Sequence, residues 1–408
     1  MSDGIDIRPI SEDEVDDFLR RVEAGFLTVS SDEELEREKL AFERDHALAA
    51  LDGVTIVGTT SAYSLEVTLP GGAPVAMAGV TAVGVAPTHR RRGILRSLME
   101  TQINGLVDRG LPLAGLLSSE APIYGRFGYG VAEEHRYTTI DAPRFALGVK
   151  MAELADEIRI EAVPITRTDD ELIDVVGPFW ERHRLTQVGE LGRSDDAWRA
   201  KLSTLPKDRF EYLAGRGDDV VGVAMVNAKV DWIGAVPDGS LRATVAADDD
   251  VARAALVAFV SRVDLVRSVS LATPVDDPLR WAVVDRRAIR TDRVDDHLWL
   301  RVLDLPAAIE ARRWATNGSV ILGVDDPLLS ANSGTWKLVV EDGWAQLDRS
   351  QAEPEITMSI SAVAPLLTGA ASPHTLTASA AIRGAPDALE RLAGMARVDR
   401  APFCQTGF

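Results

Sequence analysis

The first 150 residues alternate between segments with the apolar periodicity of strands and segments with that of helices. Ile5 and Ile7 alternate with polar residues, which is typical of a half-buried strand. Ser11 and Glu14 form a capping box, which predicts a helix through about Gly25. By the same reasoning, further helices are predicted over 32–44, 93–109 and about 121–126, and further strands over 46–51, 54–67, 75–85 and 113–118.

Residues 151–295 repeat this order of elements weakly, without clear sequence repetition. Helices are predicted over 169–184 and 250–263, and strands over 210–214, 220–227, 241–245 and 269–272. From about residue 296 the pattern becomes one of hairpins, with Asp342-Gly343 as a strong turn signal. The expected fold class is therefore α+β, in three domains covering residues 1–150, 151–295 and 296–408, which agrees with a length of 408 residues.

The composition is that of an acidic globular protein. Lys plus Arg is 44 and Asp plus Glu is 63, so the formal net charge is −19. This charge argues against non-specific binding to nucleic acid or anionic membranes and is compatible with cationic substrates, although solubility alone would also explain it. The amino terminus lacks the apolar region of a signal peptide, and the longest apolar run, 75–87, is too short to span a bilayer. A cytoplasmic protein is expected.

Cysteine and histidine usage argues against a metal site. Cys404 is the single cysteine, which excludes an intramolecular disulfide and any site with several cysteine ligands. The six histidines are scattered without a metal-ligand spacing. We therefore expect no bound metal.

The segment of residues 80–96, VTAVGVAPTHRRRGILR, carries the clearest chemical signal. A strand runs into an arginine-rich loop, and the loop opens a helix at Gly93. Unpaired N–H groups at a helix start attract anions, and the guanidinium groups of Arg90, Arg91 and Arg92 suit phosphate. Gly84, between Val83 and Val85, indicates a bulge or an exposed strand edge to which an amide-containing ligand could pair. The alternative is a solvated basic loop.

Two motifs resemble those of known acetyltransferases. Residues 90–95, RRRGIL, are similar to the Arg/Gln-x-x-Gly-x-Gly/Ala signature of the GNAT acyl-CoA N-acetyltransferases, with Leu95 in place of the small last residue. Residues 118–130, SSEAPIYGRFGYG, resemble the segment that carries the proton-donating tyrosine of that family. Together with the length and the terminal Phe408, these motifs resemble the Eis (enhanced intracellular survival) family over essentially the whole chain.

The resemblance implies an organisation and an activity. It implies an active GNAT domain, a degenerate GNAT-like domain and a sterol-carrier-protein-2-like domain, assembled as a homohexamer of two trimers. It implies transfer of acetyl groups from acetyl-CoA to amines, notably those of aminoglycosides and lysine side chains. It also implies that Tyr124 protonates the thiolate and that the carboxylate of Phe408 acts as base. The residues expected to bind acetyl-CoA are Val83, Gly84, Val85, Arg90, Arg91, Arg92, Gly93, Ile94, Leu95, Arg96, Ser119 and Glu120.

The chemistry of acyl transfer is compatible with these roles. Attack on a thioester needs a neutral amine and an acid for the leaving thiolate, and a backbone N–H near Val85 could stabilise the developing oxyanion. A terminal carboxylate is a weak base unless it is buried, acts through water or mainly holds the ammonium group. Tyr129 is expected to serve packing rather than chemistry.

Three local features bear on the substrate and on the second domain. Gly407 stands where the family's well-known member has an acidic residue, so a substrate-binding carboxylate is missing there. Asp32, Glu33, Glu34 and Glu36 could line a cationic pocket or form a solvated helix face. The central domain has AADDDV at 246–251 where the first has THRRRG, and three carboxylates would repel a pyrophosphate.

The expected function is therefore acetyl-CoA-dependent N-acetylation of small polycationic amines by direct transfer in a ternary complex. Two alternatives remain open. One is a catalytically idle acyl-CoA or lipid-binding protein, and the other is a dedicated protein-lysine acetyltransferase.

Overall fold

The computed structural model describes residues 4–164, 166–204 and 209–408. By its internal contacts the chain divides into two units. One unit combines residues 1–133 with 297–408, and the other comprises 134–296. The expected boundaries at 150 and 295 remain predictions, whereas the contact units meet at 133/134 and at 296/297.

The first segment of unit one contains the elements predicted from its periodicity. The capping box of Ser11 and Glu14 is present, and Ser31 caps the second helix by accepting from the N–H of Glu34. Single turns of 3₁₀ helix cover 12–14, 44–46 and 87–89, and a longer one covers 121–127. The strands and helices are β1 Ile5–Pro9, α1 Val15–Gly25, α2 Asp32–Ala41, β2 Leu48–Asp52, β3 Thr55–Leu69, β4 Ala73–Val85, α3 Ile94–Asp108, β5 Leu113–Leu117 and β6 Tyr129–Val131.

Unit two is built on its own seven-stranded sheet, in the order β15-β7-β14-β13-β10-β9-β8. Its elements are β7 Glu134–Asp141, α4 Val149–Ala155, β8 Arg159–Ala162, α5 Asp169–Arg184, α6 Asp195–Thr204, β9 Arg209–Arg216, β10 Asp219–Lys229, β11 Trp232–Ile233, β12 Val236–Pro237, β13 Gly239–Ala247, α7 Asp250–Val260, β14 Val266–Thr273 and β15 Ile289–Asp296. Strand β7 falls inside the expected first domain, yet it pairs with β14 and β15.

The last segment of the chain adds a five-stranded sheet in the order β19-β18-β17-β20-β21. Its elements are β16 Leu298–Val302, α8 Leu305–Ala311, β17 Gly318–Asp325, β18 Gly334–Glu341, β19 Trp344–Arg349, β20 Ile356–Ser359, α9 Ile360–Thr368, α10 Pro373–Ala378, β21 Ile382–Gly384 and α11 Pro386–Ala396. The turn at Asp342-Gly343 joins β18 to β19 as predicted, and Asp342 has φ +51°. Helix α9 begins at Ile360 with Ser359 as N-cap.

The main sheet of unit one is seven-stranded, in the order β1-β2-β3-β4-β5-β16-β6. Strand β16 therefore returns to the sheet of the first segment and lies between β5 and β6, antiparallel to both. Helix α3 packs on one face of this sheet, where Met99 and Ile103 share a buried core with Ala62, Ala78 and Val80. We call this side of the sheet the α3 face. No helix within the described ranges is long and apolar enough to cross a membrane.

Candidate active site

Strands β4 and β5 separate from each other in the middle of the sheet. They pair in parallel only from Met77–Leu113 to Gly79–Gly115, although β4 continues to Val85 and β5 to Leu117. We call the opening between residues 80–85 of β4 and 116–117 of β5 the fork. On its β5 side, β4 has no strand partner within the described residues along this length, so its backbone groups are available to a ligand.

A β-bulge shapes the fork. The register between β3 and β4 shifts between Thr59 and Ser61, and Ala82 has φ +55°. The Thr59 hydroxyl donates to the Ala82 carbonyl at 2.7 Å, which fixes the bulge. A bulge re-aims the strand that carries it, and the expected ligand-pairing residues Val83, Gly84 and Val85 follow directly, half-buried. Gly84, which indicated a bulge in the sequence, thus lies two residues from Ala82, the residue with the positive φ angle.

The arginine loop connects this strand to α3. Gly93 is the N-cap of α3 with φ +79°, and no side chain caps the helix start. A Cβ at Gly93 would have no atom within 4 Å, so the space in front of the first amides is open. Ile94 is buried beneath it, Leu95 is half-buried against the core of the α3 face, and Arg96 is exposed. Uncapped amides at a helix start together with open space suit the pyrophosphate of a nucleotide.

The three loop arginines are exposed, and two of them lack an acidic partner. Arg92 lies 4.0 Å from Asp52, whose carboxylate is also 3.1 Å from His89. Within the described residues no ion pair involves Arg90 or Arg91, and Arg91 has φ +63°. Two unpaired guanidinium groups beside a helix start remain available to a phosphate-bearing ligand.

Tyr124 lies on the α3 face, in the 3₁₀ helix Ala121–Phe127. Its side chain is 7% exposed and belongs to the buried core that contains Met99 and Ile103. Burial raises the pKa of the Tyr124 phenol, and the nearby Glu120 carboxylate raises it further. The phenol is therefore protonated at neutral pH and can act as an acid. Ser119 and Glu120 are exposed at the start of the same segment.

The chain end lies at the fork. A Cβ built on Gly79 would be 2.9 Å from Cδ2 and 3.1 Å from Cε2 of Phe408, and one on Gly407 would be 3.9 Å from Cδ1 of Leu117. Successive residues of a strand point to opposite faces, and Ala78 and Val80 point to the α3 face. The Phe408 ring therefore packs on the face opposite Tyr124, at the last paired residue of β4.

Acidic residues that the sequence analysis did not single out lie near Tyr63, a residue on the Phe408 side of the sheet. Tyr63 pairs in register with Gly79, and burial raises the pKa of its phenol, with further contributions from Glu38 and Glu43. Glu43 accepts from the N–H and the hydroxyl of Ser64 at 2.9 and 2.6 Å. The pKa of Glu38 is raised by burial and by the neighbouring Glu23 carboxylate. In the sequence, Glu38 and Glu43 are marked only by belonging to an acidic stretch.

The carboxylates considered in the sequence analysis are engaged locally instead. Glu34 completes the capping box with Ser31, Asp32 pairs with Arg20 at 2.6 Å, and Glu36 pairs with Lys39 at 2.6 Å. Glu33 lies 3.7 Å from Arg37.

The corresponding helix start in unit two is occupied by the protein's own carboxylate. Asp249 is the N-cap of α7 and accepts from the N–H groups of Val251 and Ala252 at 3.0 and 2.8 Å. Asp249 also pairs with Arg216 at 2.9 Å, and Asp248 with Arg182 at 2.8 Å. The amides that could receive a phosphate are thus already satisfied, and the local charge repels one.

Comparisons with known proteins agree with this geometry. Residues 6–132 and 189–302 match family models of GNAT acetyltransferase domains, and residues 305–405 match a sterol carrier protein domain. An uncharacterized N-acetyltransferase of Streptomyces avermitilis is 31% identical over 99% of both chains. N-acetyltransferase Eis of Mycobacterium tuberculosis is 32% identical over 89% of both chains. The chain belongs to the Eis family of N-acetyltransferases.

A solved structure supports the same conclusion for the whole chain. The crystal structure of Eis1 from Mycobacterium abscessus superposes with a TM-score of 0.85 at 26% identity, covering 99% of this chain and 100% of that one. The expected order of two GNAT-like domains and a sterol-carrier-like domain is confirmed. This Eis-family protein is an enzyme that transfers acetyl groups from acetyl-CoA to amines.

Proposed function

We propose that this enzyme transfers the acetyl group directly from acetyl-CoA to an amine, with both substrates bound at the fork at once. The observation that carries the proposal is the placement of Tyr124 and Phe408 on opposite faces of the sheet at the point where β4 and β5 separate. A thioester that passes through the fork would meet an acid on one face and the acceptor amine on the other. Direct attack then needs no covalent enzyme intermediate.

The proposed binding site for acetyl-CoA follows the loop and the strand. The start of α3, from Arg91 to Arg96, and the guanidinium group of Arg90 would bind the pyrophosphate. Residues Val83–Val85 would pair with the amide-containing arm of the cosubstrate, and Ser119 and Glu120 would contact it from the other side of the fork. The N–H of Val85 would donate to the thioester oxygen as that oxygen gains negative charge.

Two proton transfers complete the proposed reaction. The terminal carboxylate of Phe408 would hold the acceptor ammonium and take its proton, directly or through water. A carboxylate near its reference pKa of roughly 3.3–3.7 is a weak base, so positioning the ammonium is the larger part of its role. Tyr124 would give its proton to sulfur as the carbon–sulfur bond breaks.

The proposed acceptors are small polycationic amines such as aminoglycosides. The net charge of −19 favours the approach of cations, and Glu38 and Glu43 add negative charge near Tyr63 on the Phe408 side. Lysine side chains of peptides are the competing acceptor class. We further propose a homohexamer in the cytoplasm, with the degenerate second domain as scaffold.

A thiol-release assay tests the proposal. The protein is incubated with acetyl-CoA and, separately, with aminoglycosides, polyamines and lysine-containing peptides. Aminoglycosides or polyamines should give the highest kcat/KM. Faster turnover of peptides would indicate a protein-lysine acetyltransferase, and no release with any amine, together with co-purified lipid, would indicate a binding protein.

The same assay tests the acid. Tyr124→Phe should lower kcat by about 100-fold, because general acid catalysis typically contributes 10²–10⁴-fold, and should leave the Kd of acetyl-CoA unchanged. Tyr212→Phe in unit two is the matched control, with unchanged kcat. Unchanged turnover in Tyr124→Phe would remove this phenol from the mechanism.

A further inference from the structure

A second phenol lies beside Tyr124, and its hydroxyl is unpaired. Tyr129 on β6 is 0% exposed, and its hydroxyl has no hydrogen-bond partner among the described residues. A buried hydroxyl without a partner costs about 1–3 kcal/mol. Packing alone would be served equally well by phenylalanine, so the hydroxyl is available to a partner that the described residues do not provide in this arrangement.

Tyr129 is held against a buried guanidinium group. It pairs in register with Arg301 on β16, so the two side chains lie on the same face of the sheet. Arg301 donates to both oxygens of Asp326 at 2.8 Å and to the carbonyl of Val302 at 2.8 Å. The side chains of Arg301 and Asp326 are 0% exposed, and the Nε of Arg301 has no partner within the described residues.

Asp326 is itself fixed by the sterol-carrier-like segment that carries it. Its Oδ1 accepts from the N–H groups of Leu328 and Leu329 at 3.1 Å, and its Oδ2 accepts from the side-chain amide of Asn332 at 3.0 Å. A carboxylate that accepts from this many donors holds its guanidinium partner in one orientation. The positive charge beside Tyr129 is therefore rigidly placed.

The two glycines that flank Tyr129 are required by this packing. A Cβ at Gly128, which has φ +84°, would lie 2.8 Å from both Cζ and Nε of Arg301. A Cβ at Gly130 would lie 1.9 Å from the carbonyl oxygen of Ser361, at the start of α9. The Gly-Tyr-Gly motif thus admits Arg301 on one side and the α9 backbone on the other.

Tyr124 is the neighbour of this phenol. The rings of Tyr124 and Tyr129 are 6.0 Å apart between centroids, with an interplanar angle of 70°. We propose that Tyr129 is a positioning residue whose hydroxyl donates a hydrogen bond to the Tyr124 oxygen once that oxygen has given its proton to sulfur. This inference rests on the proposed function of Tyr124.

The step is balanced without a further reactant. The carbon–sulfur bond breaks, its electron pair goes to sulfur, and the Tyr124 proton follows, which leaves the negative charge on the Tyr124 oxygen. Tyr129 keeps its own proton, and Arg301 adds a nearby positive charge. A donor that finds its partner only when charge develops stabilises the transition state more than the ground state.

The electrostatic environment keeps Tyr129 in the donor form. Burial raises the pKa of its phenol and Tyr124 raises it further, while Arg301 partly opposes the shift. Among the described residues, the charged or titratable groups around Tyr124 are Glu120, Tyr129 and the adjoining Arg301. The neighbouring elements α3, β4 and β5 contribute apolar side chains to its core, namely Met99, Ile103, Val80 and Ala114.

The variant Tyr129→Phe tests the proposal in the full-length enzyme. We expect kcat to fall by about 10-fold, the loss of roughly 1.4 kcal/mol of transition-state stabilisation, with the KM of acetyl-CoA unchanged. We also expect the pKa of Tyr124 to rise, because its ionised form loses a donor. The free energy of unfolding should not fall, since the hydroxyl removed is unpaired in the folded protein.

The phenol titration can be read directly, independently of turnover. The chain has 5 tyrosines, so ¹³C-labelled tyrosine ring signals can be assigned with single Tyr→Phe variants and followed against pH. Tyr212→Phe is the control and should change neither kcat nor the Tyr124 titration. An unchanged Tyr124 pKa in Tyr129→Phe would overturn the proposal, even if kcat fell. If the proposed function were wrong, the wild-type protein would be inactive with every amine. The titration would still report the coupling between Tyr129 and Tyr124.

Discussion

At the scale of single residues, the proposed chemistry depends on the protonation of one buried phenol. Tyr124 is 7% exposed, and its raised pKa has two causes, burial and the Glu120 carboxylate. Burial cannot be removed by a small substitution, but the charge of Glu120 can. The two causes are therefore separable by experiment.

Glu120→Gln should lower the pKa of Tyr124, because a neighbouring negative charge disfavours the phenolate. Wild-type kcat is lost as pH rises through the raised pKa of Tyr124, so in the variant this alkaline limb should move to lower pH. The measurement is the pH dependence of kcat with saturating acetyl-CoA. Glu153→Gln in unit two is the control, and a limb that moves to higher pH, or does not move, would contradict the assignment.

Gly79 offers a way to displace the chain end without changing its sequence. In Gly79→Ala the new methyl group would lie 2.9 Å from the Phe408 ring and 2.4 Å from Leu65 Cδ1, so both side chains must shift. We expect kcat to fall while the Kd of acetyl-CoA, measured by calorimetry, changes little. Gly105→Ala on α3 is the control, because a Cβ there meets no atom within 4 Å. Full activity in Gly79→Ala would argue against a role for the position of Phe408.

Some residues of the candidate site stand in local sequence motifs, and others are brought together only by the fold. Tyr124 and Gly93 stand in local motifs whose neighbours define their role, so both could be predicted before the fold was known. Glu38 and Glu43 could not, because their position near Tyr63 depends on how α2 and the following turn fold back on the sheet. The network of Tyr129, Arg301 and Asp326 joins parts of the chain separated by about 170 residues and left no local signal.

At the scale of elements, two helix starts of similar topology differ in how they are capped. Helix α3 starts at Gly93 without a side-chain cap, whereas α7 starts at Asp249, whose carboxylate accepts two backbone N–H groups. A glycine at the N-cap costs only roughly a few tenths of a kcal/mol relative to a capping side chain. The start of α3 therefore leaves its first amides open at little cost in stability.

A substitution at the start of α3 should weaken the binding of acetyl-CoA, whereas one at the start of α7 should not. Gly93→Ala places an alanine at φ +79°, which costs about 1–2 kcal/mol and disturbs the loop, so the Kd of acetyl-CoA should rise. Asp249→Ala should lower the free energy of unfolding by about 1 kcal/mol and leave that Kd unchanged. Calorimetry and urea unfolding separate the two effects. Weaker binding of acetyl-CoA in Asp249→Ala would contradict the assignment of the site to α3.

Most elements follow from local periodicity, but their assembly does not. Helices α3 and α5 lie within a few residues of their predicted bounds, and the predicted turn at Asp342-Gly343 joins β18 to β19. The insertion of β16 between β5 and β6 pairs residues more than 160 positions apart, which a pattern of apolar residues cannot specify. The same holds for β7, which pairs with β14 and β15 of unit two.

At the scale of the whole molecule, the chain carries two GNAT-like domains, and in the described part of the chain the start of α3 is left without a side-chain cap whereas Asp249 caps α7. One molecule of acetyl-CoA should therefore bind per chain, although two domains match the same family of folds. Isothermal titration calorimetry with the full chain gives this stoichiometry. A value of two would show that unit two also binds the cosubstrate despite its carboxylates.

The proposed mechanism depends on where coenzyme A binds. A crystal structure of the full chain with coenzyme A measures this most directly. We predict the pyrophosphate at the N–H groups of residues 91–96, the amide arm along Val83–Val85, and the sulfur within hydrogen-bond distance of the Tyr124 oxygen. Coenzyme A bound elsewhere while the arginine loop remains empty, or sulfur far from Tyr124, would contradict the account.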